Sequence, residues 1–233
     1  PLLLLAVLAC LGTQDAHGLS IAIDYSADQA TENFFSLRPV AKAAVEKAAA
    51  DINAVLSPTN LSAISSSGSP NANAISGVDG GITITADWDY LYSNPSTGSQ
   101  TTITNPSFSA NAVTIYVGLN ALGLGVLGEG APGGATVNIG GTQTGPGNLN
   151  NAVANMQAAS NAYIGRGAGP IVSTISGNIG GANFNLTLGA ALGTLTLNND
   201  NDNNGVADSL SALDAYWHYD ATTSVASGKN DLY

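Results

Sequence analysis

Ala112-Val113-Thr114-Ile115-Tyr116-Val117-Gly118 is the stretch on which the fold turns. β-Branched and aromatic side chains crowd it, and these suit a pleated, half-buried surface better than a helix. It reads as a strand. Working outward, Leu19 to Tyr25 alternates with Ile21 and Ile23 on one face, and Ile82 to Trp88 alternates again, so both read as further strands. Between them Arg38-Pro39 opens a helix, because proline fits an early helical position whose N–H has no intrahelical partner. Val40, Ala44, Val45, Ala48, Ile52 and Val55 recur at helical spacing, while Glu46, Lys47 and Asp51 lie off that stripe. This predicts an amphipathic helix of about five turns over Pro39 to Leu56. Asn148 to Ile164 predicts a second, with Leu149, Val153, Met156 and Ala159 or Ser160 on its buried face. Pro170–Ile175, Asn183–Leu188 and Thr194–Leu197 are short strand candidates, and Asp208 to Tyr216 has room for one or two helical turns. Ser57–Gly81 and Asn94–Ser107 read as polar loops, and the Gly-rich Gly118–Gly147 has no helical period. With no internal repeat and no marked boundary, the chain predicts one α/β (α+β) domain.

Sixteen acidic residues face five basic ones, for a net charge of −11. A polyanion does not seek nucleic acid or an anionic membrane. Only 9% of residues are charged, so the surface is largely neutral-polar, as in many extracellular bacterial proteins. Leu2 to Leu11 is apolar but too short to span a bilayer. It fits the h-region of a secretory signal peptide lacking its basic n-region, with Ala16-His17-Gly18 supplying the cleavage site, so that residues 1–18 are removed and 19–233 form the mature part. A competing reading makes Val7-Leu8-Ala9-Cys10 a lipobox with Cys10 lipidated; Leu8 fits that motif poorly. Cleavage after Gly18 leaves no cysteine, and stability then rests on packing and bound ions. Either way the protein is expected outside the cell or at the cell surface, with no stable membrane span.

Asp200-Asn201-Asp202-Asn203-Asn204-Gly205-Val206-Ala207-Asp208 is the best ligand motif. Calcium takes six to eight hard oxygens. Asp200, Asp202 and Asn204 can converge on one ion where Gly205 permits the sharp turn, followed by the Val206 carbonyl and Asp208. Position 12 is Ser211 rather than the bidentate Glu of an EF-hand, so the pattern resembles the shorter D-x-D-x-N-G-x-x-D loops of extracellular calcium proteins. The bland alternative is a polar turn. Gly123-Leu124-Gly125-Val126-Leu127-Gly128 matches the dinucleotide fingerprint, but Glu129-Gly130-Ala131-Pro132-Gly133-Gly134 follows, where no helix begins comfortably, so a flexible loop is the stronger reading. Asp87 and Asp89 flank Trp88 and read as polar residues at a strand end. Of the two histidines, His17 falls in the predicted leader, and His218, between Trp217 and Tyr219, reads as a packed or surface aromatic rather than a metal ligand.

Several segments, in order, resemble exported bacterial matrixin-like proteases of the metzincin clan. Thr114-Ile115-Tyr116-Val117-Gly118, Leu122-Gly123, Leu127-Gly128 and Ala131-Pro132-Gly133-Gly134 look like that family's third strand and following loop. Trp217-His218-Tyr219-Asp220 and Ser227-Gly228-Lys229-Asn230-Asp231-Leu232-Tyr233 look like the approach to its His-Glu-x-x-His helix. The resemblance implies a metzincin-like mixed sheet with two main helices, incomplete, with the active-site helix missing. It implies the N-terminal part of a secreted zinc-dependent metalloendopeptidase acting on protein or peptide substrates. The Zn2+ ligands would belong to the full-length protein only, since one mature histidine and no cysteine cannot build a three-His site. This chain would supply the sheet, a substrate-facing edge at Asn183–Leu188 or Thr194–Leu197, and a structural Ca2+ loop, and would be inactive alone. The alternative is a non-catalytic extracellular calcium-binding adhesin or structural surface protein, which would be all-β and repetitive.

Overall fold

The computed structural model describes residues 19–56, 60–65, 74–167 and 169–233. The predicted leader, with Cys10 and His17, lies outside the described residues. The chain is mixed α/β. It runs β1 (Ser20–Asp24), α1 (Ser26–Gln29), α2 (Phe34–Leu37), α3 (Pro39–Val55), β2 (Ala74–Asp79), β3 (Ile82–Ser93), β4 (Gln100–Ile103) and β5 (Ala112–Asn120). It continues with β6 (Gly128–Pro132), β7 (Gly134–Gln143), α4 (Leu149–Ile164), β8 (Ile171–Ile179), β9 (Ala182–Gly189) and β10 (Leu192–Asn198). The last elements are α5 (Leu210–Tyr216), β11 (Trp217–His218) and β12 (Asn230–Asp231).

The central sheet has the order β1-β5-β10-β6. The first three strands are parallel and β6 is antiparallel to β10. Parallel strands bury both faces, and here each face meets a different layer. Val117, Leu119 and Leu197 pack with Phe34, Phe35, Ala41, Val45 and Leu213 of the helical layer and with Trp217 of β11. Tyr116 and Leu192 point the other way, into a core shared with β3, α4 and β9. That second layer holds the antiparallel strands β2, β3, β4 and β7, with β3 at its centre. Ile82, Ile84, Ala86, Trp88 and Tyr90 are buried at every second position of β3, as the strand period demands.

The two long helices form where the sequence predicts them. Pro39 sits in the first turn of α3. Asn148 caps α4 by accepting the Asn150 N–H at 2.9 Å, and α4 buries Ala152, Val153, Met156, Ser160 and Ile164. The buried stripe of α3 is nevertheless Ala41, Ala44, Val45 and Ala49. Val40, Ile52 and Val55 are exposed, because small residues let the helix lie close against the sheet edge. The predicted loops need larger corrections. Ser57–Gly81 contains β2 and Asn94–Ser107 contains β4, and the loop read from Gly123 onward runs into β6; the rest of Gly118–Gly147, read as without helical period, holds β7. Glycine supplies the turns that make such strands possible: Gly180 and Gly181, both at positive φ, form the two-residue hairpin between β8 and β9.

Two polar fastenings hold these layers. Arg38 donates from Nε and Nη2 to both carboxylate oxygens of Asp214, each at 2.7 Å, which ties the start of α3 to α5. Arg166, just past α4, is fully buried. Its guanidinium donates to the carbonyls of Ser62, Ala112, Ala190 and Ser109, stitching α4 to the start of β5 and to the β9–β10 connection. Among the described residues no helix is long and apolar enough to cross a membrane.

Candidate peptide-binding edge

Strand β6 is Gly128-Glu129-Gly130-Ala131-Pro132, and all five residues are exposed. It lies at the end of the central sheet. Its register against β10 runs unbroken from Leu197↔Gly128 to Gly193↔Pro132. Beyond either end, Asn198 donates its N–H to the Leu127 carbonyl at 2.9 Å and Gly133 donates to the Leu192 carbonyl at 3.0 Å. Antiparallel pairs alternate between bonded and non-bonded positions. Leu127, Glu129, Ala131 and Gly133 therefore turn their backbone groups toward β10. Gly128 and Gly130 turn N–H and C=O outward, and Pro132 its C=O. The outward positions are two glycines and a proline, so no long side chain shields the backbone there.

This corrects one of the two predicted edges. Thr194–Leu197 lies in β10, inside the sheet between β5 and β6. Asn183–Leu188 lies in β9, an edge strand of a separate two-stranded sheet with β8, but its outer backbone is met by α4: the Asn185 and Thr187 N–H groups donate to the Gln157 and Asn161 side chains. Five residues with two glycines carry no apolar alternation, so propensity gave no sign of β6. The signal available was weaker: proline and glycine are tolerated on edges, where central strands exclude them.

Glu129 lies opposite Thr196, and Ala131 opposite Thr194. Thr194 and Thr196 are in turn aligned with Tyr116 and Gly118 of β5. These side chains share the sheet face turned toward the second layer, where Tyr116 stacks on Tyr92 with ring centroids 4.1 Å apart. The β3–β4 turn closes down on that face: a Cβ at Gly118 would overlap the Ser96 hydroxyl. Between turn and strand a cavity of about 230 Å³ is lined by Ser93, Asn94, Asn120, Glu129, Ala131 and Thr196, among others.

On the opposite face, Ile23, Ile115 and Leu195 are partly buried and pack against the helical core. Ile23 and Ile115 are direct neighbours across β1 and β5.

The acidic loop follows β10. Asp200 is 2% exposed and accepts the N–H of Asn204 at 3.0 Å and of Gly205 at 2.7 Å. Asp202 accepts the same Asn204 N–H at 3.2 Å. Asn204 Oδ1 accepts the Val206 N–H at 2.8 Å. Asp208 reaches back to accept the Asn201 N–H at 2.8 Å. Burial works against charge on Asp200, but hydrogen bonds from the Gly205, Asn204 and Asn203 backbone together with the Asp202 side chain outweigh it and hold the carboxyl below its ordinary range. Gly205 takes φ 81, which permits the turn. The fold thus brings Asp200, Asp202 and Asn204 together and sets Asp208 at the base of the loop, while the Val206 side chain is exposed. Among the described residues no three His, Cys, Asp or Glu side chains gather closely enough to hold a metal ion. His218 is partly buried, with Nε2 3.0 Å from the Asp220 carbonyl oxygen. At Gly123–Gly128 a loop runs into β6, and no helix N-terminus is present there to receive a pyrophosphate.

Compared with protein-family descriptions, curated proteins and solved structures, the chain matches none of them.

Proposed function

We propose that this chain is the N-terminal part of a secreted zinc-dependent metalloendopeptidase and that it supplies the surface against which an extended peptide substrate is laid. The observation that carries this reading is the outward-turned backbone of Gly128 and Gly130 on an exposed antiparallel edge. An extended peptide adds to such an edge as one more strand, held by main-chain hydrogen bonds that are indifferent to its sequence. A protease needs that register, because a scissile bond must be presented in one orientation. The resemblance of Trp217-His218-Tyr219-Asp220 and Ser227–Tyr233 to the approach of a His-Glu-x-x-His helix supports the catalytic half of the proposal. The zinc ligands themselves are not assigned to residues of this chain.

The Asp200–Asp208 loop is proposed as a weak structural calcium site. Asp200 and Asp202 converge on one N–H, and among the described residues no lysine or arginine pairs with either. The oxygen-only donor set of Asp200, Asp202, Asn204, Asp208 and the Val206 carbonyl fits a hard divalent cation. Bound calcium would pin the loop between β10 and α5.

The deciding test is the source DNA beyond the codon for Tyr233. A His-Glu-x-x-His motif with a third histidine six residues later, and peptide hydrolysis by the encoded protein that a zinc chelator abolishes, would support the proposal. A continuation lacking that motif would sink it.

A further inference from the structure

All five basic residues of this protein are engaged away from β6. Arg38 is held by Asp214, Lys42 lies 3.7 Å from Glu46, and Lys47 lies 2.6 Å from Asp51. Arg166 is buried on backbone carbonyls, and Lys229 donates to the Asp214 carbonyl at 2.6 Å. Glu129 is the one ionisable side chain on the edge strand, exposed at the rim of the 230 Å³ cavity. Its neighbours there are neutral: Ser93, Asn94, Asn120, Ala131 and Thr196. Among the described residues no lysine or arginine lies against this carboxylate.

We propose that Glu129 makes this edge selective for extended peptides carrying a lysine or arginine at the position opposite it. The inference rests on the strand-addition reading above and names the substrate class of that same edge. In an added antiparallel strand, the residue directly across from Glu129 puts its side chain on the same face, with Cβ atoms about 5 Å apart. That face is the one with the cavity. A long basic side chain lays its methylenes along Ala131 and brings its charge to the carboxylate, with the Asn94 and Asn120 side chains nearby as neutral polar neighbours. Lysine and arginine are suited to this because their stems tolerate apolar surface while the charged head remains wet. The net charge of −11 draws cationic peptides in general, but only Glu129 ties the preference to one position of the bound strand.

The test uses fluorescein-labelled eight-residue peptides of Thr and Val, each with a single Lys, Ala or Glu scanned through the positions, and binding is read by fluorescence anisotropy. One Lys position is expected to bind about three- to fivefold more tightly than Ala there, with Glu weaker than both, in line with a solvent-accessible ion pair. The preference should shrink at 0.5 M salt, where the Debye length is only about 4 Å. E129Q is expected to remove that position-specific preference while moving the Ala peptide far less, and E129K is expected to reverse it in favour of Glu. A Lys preference that is equal at all positions, or that survives E129Q, would trace to overall charge and overturn the role of Glu129 while leaving strand addition standing. Failure of every peptide to bind the parent protein would overturn both. Circular dichroism of each variant keeps a folding defect from being read as lost recognition.

Discussion

Replacing Arg166 with Met tests how the two layers are joined. The guanidinium is fully buried and meets no carboxylate; Nε bonds the Ser62 carbonyl at 2.8 Å, Nη1 bonds those of Ala112 and Ala190 at 2.7 Å each, and Nη2 bonds that of Ser109. Its charge centre is 5.9 Å from the Phe108 ring. Burial lowers its pKa from the usual arginine value, the sign of a desolvated cation. Hydrogen bonds to a charged group contribute about 1.5–3 kcal/mol each, so four sum to about 6–12 kcal/mol. Desolvation of the cation offsets several kcal/mol of that. Methionine fills much of the volume but leaves four carbonyls without this donor. We expect a net loss of about 3–5 kcal/mol. For a domain of this size that is a fall in Tm of about 6–20 °C. Arg166 already sits at φ 55, and Met bears the same backbone cost there, so the comparison isolates the guanidinium. Urea unfolding followed by tryptophan fluorescence reads both cores, since Trp88 lies in one and Trp217 in the other. Arg166→Lys should fall between, because an ammonium cannot span four diverging carbonyls. A Met variant within about 1 kcal/mol of the parent would refute the reasoning, meaning that water or the chain itself satisfies those carbonyls equally well.

Gly130→Pro removes an N–H that points away from the sheet, so it should weaken binding of extended peptides and lower Tm little; Ala131→Pro removes one that bonds β10 and should cost about 1–3 kcal/mol. Equal losses of stability in the two variants, measured by thermal melts, would show that the hydrogen-bond alternation along β6 is misassigned. Millimolar calcium should raise the Tm of the parent and not of Asp200→Asn, with terbium luminescence reporting the same site; a parent Tm indifferent to calcium and to chelator would remove the ion from the account. The Asp214 carboxyl is held below its ordinary range, chiefly by the Arg38 guanidinium bonded to it. Its folded pKa is thus depressed, and the stabilisation it brings is complete above the unfolded value, about 3.9, and fades as pH falls through the lower folded value. Asp214→Asn should therefore melt below the parent at pH 7, and the two melting curves should draw together below about pH 4; a gap independent of pH would refute the assignment.

Three features were legible in the sequence because each rests on short-range physics. The run Ala112–Gly118 reads as a strand because Val113, Thr114, Ile115 and Val117 suit a pleated, half-buried surface, and β5 forms there. Helices at Pro39 and Asn148 announce themselves by a proline in the first turn and a side-chain cap. A tight polar turn around Gly205 was legible, since Asp and Asn side chains accept nearby N–H groups and glycine takes positive φ, and Asp200 and Asp202 do accept the Asn204 N–H. The alternation of Ala135, Val137 and Ile139 in β7 was not read from the sequence, because the glycines around it masked it.

What only the tertiary structure decided is partnership. Strand β6 has no pattern of its own; it is a strand because β10 offers it a ladder, and its outward hydrogen-bonding phase follows from bonds made at Leu127 and Gly133. The stripe of α3 shifted to its alanines because the layer beneath it, rather than the hydrophobicity of the helix, sets which face approaches. Arg166 looks like any surface arginine until the carbonyls of Ser62, Ser109, Ala112 and Ala190 are brought around it from three distant parts of the chain. Periodicity and capping are properties of neighbours in sequence, so sequence determines them. An edge, a cavity or a buried cation is defined by what lies across from it, and that is settled only when the whole chain has folded.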